Sequence, residues 1–535
     1  MKAPYQKIRC ISGILIIVLL ALYLGIFAYL NLAKYDQHVD SDIAAEALLT
    51  REIWEQKTIT PDDWISSTER RILAMPAVAA LFYGITGSMQ TAVGIACVLL
   101  GGIFFACFYF FLKKCGLSRL GALLGVVMIC ALPVNGIRNE GQMVPFISLL
   151  LYLFAEYYVF HCILLFVSIL FYLYLKKVGG KEVKGGKFLW GIWVLLFGFT
   201  AVLSLGGQRC FQMVIIPLFL YECISLFTDT RRFTVMVDKG RLLATGYVGT
   251  SVLAGGISLL YDRQADYPMY LQTPDEIMNR LFLIIPGALL EGFGIAGRVK
   301  LGSFASMMQL LVWAFLILVI YGLVYVFRQK DEAKKEQKEA LLLMIMSLGV
   351  TVFIISVTTA EAAHNYFMVA WFAAIMAVVI LYDCLMRKGS WFAHVIVAAV
   401  CLFAVLNLKY TWYDAVTTKD NLKAYEEVAE YLEEQNISYG YGEFWDASRI
   451  SLIKDGAITM GHTYLIEDLG MYWWLTSTKW YPPNLPRDMK TAYVVKQEKR
   501  EVFEKQFEEN QPMRAAYENE KFAVYISEIN YVSMP

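Results

Sequence analysis

Carboxylates gather in the segment His38-Val39-Asp40-Ser41-Asp42-Ile43-Ala44-Ala45-Glu46, directly after a long apolar run. An ionised acid beside a bilayer is expensive and needs a reason. Asp40, Ser41 or Asp42 can cap a helix by accepting from its orphan N–H groups, or one carboxylate can act as general base on a substrate hydroxyl. A helical projection puts Asp42 and Glu46 on one face with Leu49 and Ile53, directed at protein or bilayer. One cap suffices for one helix, so the second acid is surplus to capping.

Further candidates lie at comparable boundaries. In Trp64-Ile65-Ser66-Ser67-Thr68-Glu69-Arg70, Trp64 offers an aromatic platform and Glu69 a carboxylate that could accept from a hydroxyl. The competing readings are an interfacial tryptophan anchor and a solvated charge cluster of Glu69, Arg70 and Arg71. Arg138, Arg209 and His364, the last followed closely by Tyr366, could neutralise an anion. Arginine at membrane depth is costly unless paired, which singles out Arg209, although it could also snorkel. A divalent cation, magnesium or manganese, would find oxygens on Asp40, Asp42 or Glu69, but no ligand spacing demands one. Trp473-Trp474, His161 and His394 read as core residues.

The elements that must position these groups follow from composition. Of 535 residues, 58% are hydrophobic and 18% charged, above the roughly 45–50% apolar share of soluble domains. The chain reads as an integral membrane protein. Net charge is zero, which removes the electrostatic argument for nucleic acid. Its 10 cysteines lie in or at the ends of apolar segments and imply no disulfide framework.

Apolar runs near 10–33, 89–112, 117–134, 152–175, 188–205, 210–228, 242–261, 304–327, 339–358, 366–386 and 391–409 predict about eleven transmembrane helices. The stretch from Met143 to Leu175 exceeds one span, so its first part is expected along the interface. The first run is too long for the core of a cleaved signal and reads as a retained helix. Lys and Arg collect in alternate loops, among them Lys113 and Lys114, Lys176 and Lys177, Arg231 and Arg232, Lys334 and Lys335, and Arg387 with Lys388. Under the positive-inside rule these put the N-terminus in the cytoplasm and the C-terminus outside. The first external loop (34–88), a second loop (262–303) and the C-terminal tail then share the outer face, with nearly all unusual polar residues.

From Asp420 the composition becomes that of a soluble domain. Leu422 to Gln435 predicts an amphipathic helix, and strands are expected at Ser438–Tyr441, Ala457–Met460, Thr491–Val495 and Phe522–Ile526. The expected fold class is an α-helical polytopic membrane protein, with interfacial helices in the first loop and a small external α/β or α+β domain. The expected division is 1–410 in the membrane and 411–535 outside.

The acidic residues after the first span, Arg51-Glu52-Ile53, and the Trp64–Arg70 stretch together resemble the GT-C superfamily of polyprenyl-phosphate-sugar glycosyltransferases, which includes protein O-mannosyltransferases and lipid A aminoarabinose transferases. The similarity covers mainly residues 1–110 in sequence and the remainder in topology. In those families an Asp in this loop is the catalytic base or orients the acceptor, and Arg-Glu follows about two turns later. Matching Arg51-Glu52 to that pattern assigns the role to Asp42, with Asp40 second. Where the mannosyltransferases carry Asp-Glu this chain has Asp42-Ile43, and the Pro-Pro-Leu motif of the aminoarabinose branch is absent.

The resemblance implies inverting transfer of a hexose or pentose from a polyprenyl-phosphate donor, within membrane lipid, to a glycan, lipid or protein acceptor at the outer face of the plasma membrane. Asp42 and Asp40 would be catalytic, with Glu46, Trp64, Glu69, Arg138, Arg209, His364 and Tyr366 around the substrates. The alternative is a transporter or flippase for a lipid-linked oligosaccharide or small molecule. That reading expects inverted repeats and ionisable groups near the bilayer centre; no repeat is evident, and such groups mostly sit at the ends of spans.

Overall fold

Backbone polar groups in a bilayer must be satisfied within their own segment, so long apolar runs become helices there. The computed structural model describes residues 3–131, 157–178, 186–229, 239–260, 269–295, 299–329, 335–409, 416, 422–466, 469–507 and 513–534. Within them every expected apolar run holds a helix. In chain order these and the first-loop helices are α1 (Ala3–Ala33), α2 (Ser41–Gln56), α3 (Met75–Thr86), α4 (Met89–Lys114), α5 (Arg119–Cys130), α6 (Val159–Val178), α7 (Gly186–Gly206), α8 (Ile216–Asp229), α9 (Lys239–Gly256), α10 (Phe304–Arg328), α11 (Lys335–Val357), α12 (Met368–Arg387) and α13 (Phe392–Asn407). A π turn, Phe211–Ile215, leads into α8.

Among the described residues, 7 helices are long and apolar enough to cross a membrane, and shorter apolar helices accompany them. The protein is therefore a multi-pass membrane protein. Fewer helices than expected reach spanning length among the described residues; α5, for one, is only 12 residues long, short of the roughly 20 that a bilayer requires. The interfacial segment expected before Leu175 begins among residues 132–156, which lie outside the described set. Part of the expected second loop is helical: Pro274–Asn279, Arg280–Ile284 and Ile285–Gly292. Arg280 Nη1 fastens it to the end of α11 by donating to Ile355 O at 2.7 Å and Ala360 O at 2.6 Å.

The core is organised on α12, buried from Met368 to Cys384. Rings from three helices meet there, with Phe372 at 5.7 Å from Phe108 and 5.1 Å from Phe166. Asp383 near the other end of α12 accepts from both the backbone N–H and the hydroxyl of Ser118 at the start of α5.

The C-terminal region contains α14 (Lys423–Glu434) and α15 (Phe444–Ile453). Its strands are β2 (Tyr439–Gly442), β3 (Thr459–His462), β5 (Thr491–Lys496), β6 (Ala515–Glu518) and β7 (Phe522–Ser527), in the order β3-β2-β5-β7-β6. The first two pairings are parallel and the last two antiparallel. Four strands and α14 match the sequence expectation. The edge strand β6 does not, because its residues alternate between half-buried and exposed without an apolar run.

A separate ribbon joins the first loop to the C-terminal region: β1 (Trp64–Ile65) pairs antiparallel with β4 (Thr476–Ser477). Beside it, Arg51 Nη1 donates to Gly456 O at 2.6 Å, Lys479 pairs with Glu52, and the Ser41 hydroxyl donates to Trp445 O. Arg51 and Glu52 therefore fasten α2 to the C-terminal region.

Candidate functional site

Asp40 has extended backbone and is the N-cap of α2, its Oδ1 accepting from Ile43 N at 2.9 Å. That satisfies an orphan donor, and Asp42 follows in the first turn. Both acids line a cavity of about 630 Å³. Burial, then the neighbouring Asp42 charge, push Asp40 up to about 6. Burial also raises Asp42, against the pull of the Trp474 N–H and of Arg71.

Opposite walls of the cavity come from the first loop, the residues just before α6 and the turn after α7, and include Glu69, Arg70, Arg71, Tyr157, Tyr158 and Arg209. Arg209 Nε lies 3.0 Å from Glu69 Oε1. Its guanidinium carbon sits 4.1 Å from the Tyr158 ring centre and 4.6 Å from that of Tyr366. The cation is thus paired and held between two π faces, which answers the cost of placing it near the bilayer.

Arg71 makes a second such arrangement. It lies 2.6 Å from Glu46 and 3.5 Å from Glu69, over the Tyr157 ring at 4.3 Å. Burial pushes Glu46 up more strongly than Arg71 pulls it down. Burial acts on Glu69 in the same direction, but Arg209 and Arg71 outweigh it, so this carboxyl stays below its ordinary range and ionised.

Backbone proximity explains the Gly206-Gly207 pair. Arg70 N donates to Gly206 O at 2.7 Å, and a Cβ on Gly207 would lie 2.7 Å from Glu69 Cγ. Only a residue without a side chain leaves room for Glu69 here.

The structure brings together Asp40, Asp42, Glu69, Arg209 and Tyr366 on one cavity, with Glu46 behind it on Arg71. Trp64 takes another place: it is 3% exposed, belongs to β1, and packs edge-on against Trp480 at 5.8 Å. His364 stands 3.7 Å from Glu291, although Ala363, Asn365 and Tyr366 around it line the cavity. Arg138 lies outside the described residues. No group of three or more His, Cys, Asp or Glu among the described residues is placed to hold a metal ion.

Sequence reasoning missed Arg71, Tyr157, Tyr158 and Trp474. Arg71 was hidden by the reading of residues 69–71 as a solvated charge run, whereas its side chain is only 11% exposed. The two tyrosines precede a span and look like an ordinary aromatic belt. Trp473 and Trp474, expected in the core, are exposed and half-buried respectively, and Trp474 Nε1 donates to Asp42 Oδ1 at 3.2 Å. Two adjacent tryptophans in the tail after the last apolar run were the available signal.

The apolar spans, the first-loop helices and the C-terminal α/β region around this cavity form a fold that a solved membrane-protein structure shares. The comparison that shows it is with ArnT from Cupriavidus metallidurans bound to undecaprenyl phosphate: TM-score 0.53, 10% identity, covering 96% of this chain and 98% of that one. The apo state of the same protein gives TM-score 0.52 at 10% identity, covering 95% and 97%. No family model matches the chain, and no curated protein does.

Proposed function

We propose that the protein transfers a sugar, with inversion, from a polyprenyl-phosphate donor to a hydroxyl acceptor at the outer face of the plasma membrane. The observation that carries this reading is the meeting of Asp42 and Arg209 on one cavity in a fold shared with a protein seen bound to undecaprenyl phosphate.

Asp42 takes the proton of the acceptor hydroxyl as its oxygen bonds to the anomeric carbon. The bond from that carbon to the phosphate oxygen breaks, and its electron pair leaves with the polyprenyl phosphate. Arg209, Arg70 and Arg71 neutralise the departing anion. A phosphate leaves without a general acid, so one carboxylate suffices. Asp40 caps α2, and the charge of Asp42 helps to keep the Asp40 carboxyl raised. Glu69 and Glu46 hold the arginines, and Tyr157, Tyr158 and Tyr366 are the aromatic surface for donor and sugar.

The loops rich in Lys and Arg support a cytoplasmic N-terminus and an external region 411–535 that shapes the acceptor cleft. A hexose or pentose donor and a glycan, lipid or protein acceptor fit this reading equally.

The test is a panel of undecaprenyl-phosphate sugars with purified protein, scoring release of undecaprenyl phosphate. Asp42→Asn should lower the rate about 10²–10⁴-fold while the protein still inserts and folds. Full turnover by that variant overturns the assignment of the base.

A further inference from the structure

We infer that Trp474 is the positioning residue for Asp42, carried to the site by the C-terminal region and held there by His462. The inference rests on the reading of Asp42 as base and adds what aims it.

Asp42 sits in the first turn of α2, where side-chain rotamers alone leave the carboxylate several orientations. The indole Nε1 of Trp474 donates to Oδ1 at 3.2 Å and fixes one. Proton transfer then falls to the second oxygen. A hydrogen bond to the ionised form also favours that form, and this contact opposes the effect of burial on Asp42.

The loop that presents the indole is itself held. His462 in β3 is fully buried, with Nδ1 at 3.1 Å from Trp474 O and Nε2 at 2.7 Å from Ser448 Oγ. A carbonyl can only accept, so Nδ1 carries the hydrogen and Nε2 accepts from the serine. Burial depresses His462 to about 4, which keeps the ring neutral and this tautomer fixed at neutral pH. Leu475, next in the chain and also on the cavity, has a φ of 46°. A leucine in the left-handed region persists only where its surroundings impose it. Tyr481 supplies part of that frame, donating to His462 O at 2.9 Å while accepting from His462 N at 2.6 Å.

The experiment uses the full chain in lipid nanodiscs and reads protonation of Asp42 directly. A hydrophobic carbodiimide modifies protonated carboxyls, and the labelling of Asp42 against pH is followed by peptide mass spectrometry. Trp474→Phe keeps the ring and removes the N–H. It should move the labelling midpoint to higher pH and lower turnover of the undecaprenyl-phosphate sugar at least tenfold, with donor KM within twofold of wild type.

His462→Asn keeps a donor near the Nδ1 position and should retain the wild-type midpoint, whereas His462→Leu should shift it as Trp474→Phe does. An unchanged midpoint in Trp474→Phe, with Asp42→Asn inactive, overturns the inference and leaves the base standing. A shifted midpoint with Asp42→Asn fully active overturns the base and, with it, the role assigned to Trp474.

Discussion

Glu69 and Arg209 meet at 3.0 Å with side chains each 12% exposed, the first from the loop after α2 and the second from the turn after α7. Breaking a buried pair by removing one partner costs about 3–5 kcal/mol, because the other charge is stranded. Glu69→Gln should therefore lower the thermal unfolding midpoint by several degrees and raise donor KM. Arg209→Lys should not rescue donor binding, since an ammonium lacks the planar fork that fits between Tyr158 and Tyr366. A donor titration of both variants beside wild type checks this; equal affinity in all three removes Arg209 from the phosphate site.

Asp40 gives a pH prediction with a definite sign. Its folded value of about 6 exceeds the 3.8 of a free aspartate, so between those values the native state binds more protons than the unfolded chain. Stability from this group is full below pH 3.8 and is lost as pH rises through 6. Asp40→Asn keeps a capping oxygen and has no charge to bury. The variant should be more stable than wild type above pH 6, and the difference should vanish towards pH 4. Urea unfolding across that range is the measurement, and a variant that is less stable at pH 7 contradicts the account.

Trp64 should behave as a packing residue. Trp64→Ala removes a buried indole from its contact with Trp480, a change worth about 3–5 kcal/mol. Donor KM in the molecules that remain folded should stay within twofold of wild type. A large rise in KM with normal stability would restore Trp64 to the sugar site.

Gly207→Ala tests the close approach at Glu69. The new methyl must displace that carboxylate, which loosens both Arg209 and Arg71. Turnover should fall at least tenfold, whereas Gly191→Ala, in a position with open space around it, should be silent. Parallel turnover assays and unfolding curves separate the two effects.

Much of the helical architecture was legible because apolar length and Lys/Arg placement are local signals. That Asp42 has a place besides capping was legible for a different reason, since cap chemistry used only one acid and left another to explain, and that acid lines the cavity. Arg71 and Trp474 were not. A charge run and a tryptophan pair carry no mark of what they will face, and their partners Glu46 and Asp42 lie far along the chain. Trp64 misled because an aromatic at a membrane boundary suits an anchor, a sugar platform and a β bridge alike, and only pairing with Ser477 decides among them.

The ribbon of β1 and β4 also sets a timetable. A ribosome makes Trp64 and Ile65 early, but their partners Thr476 and Ser477 only after every membrane helix described above. Trp474 and Leu475, which wall the cavity beside Asp42, emerge just before them. The growing chain thus has Asp42 long before its cavity is walled, because the residues that close it are made only after the membrane helices.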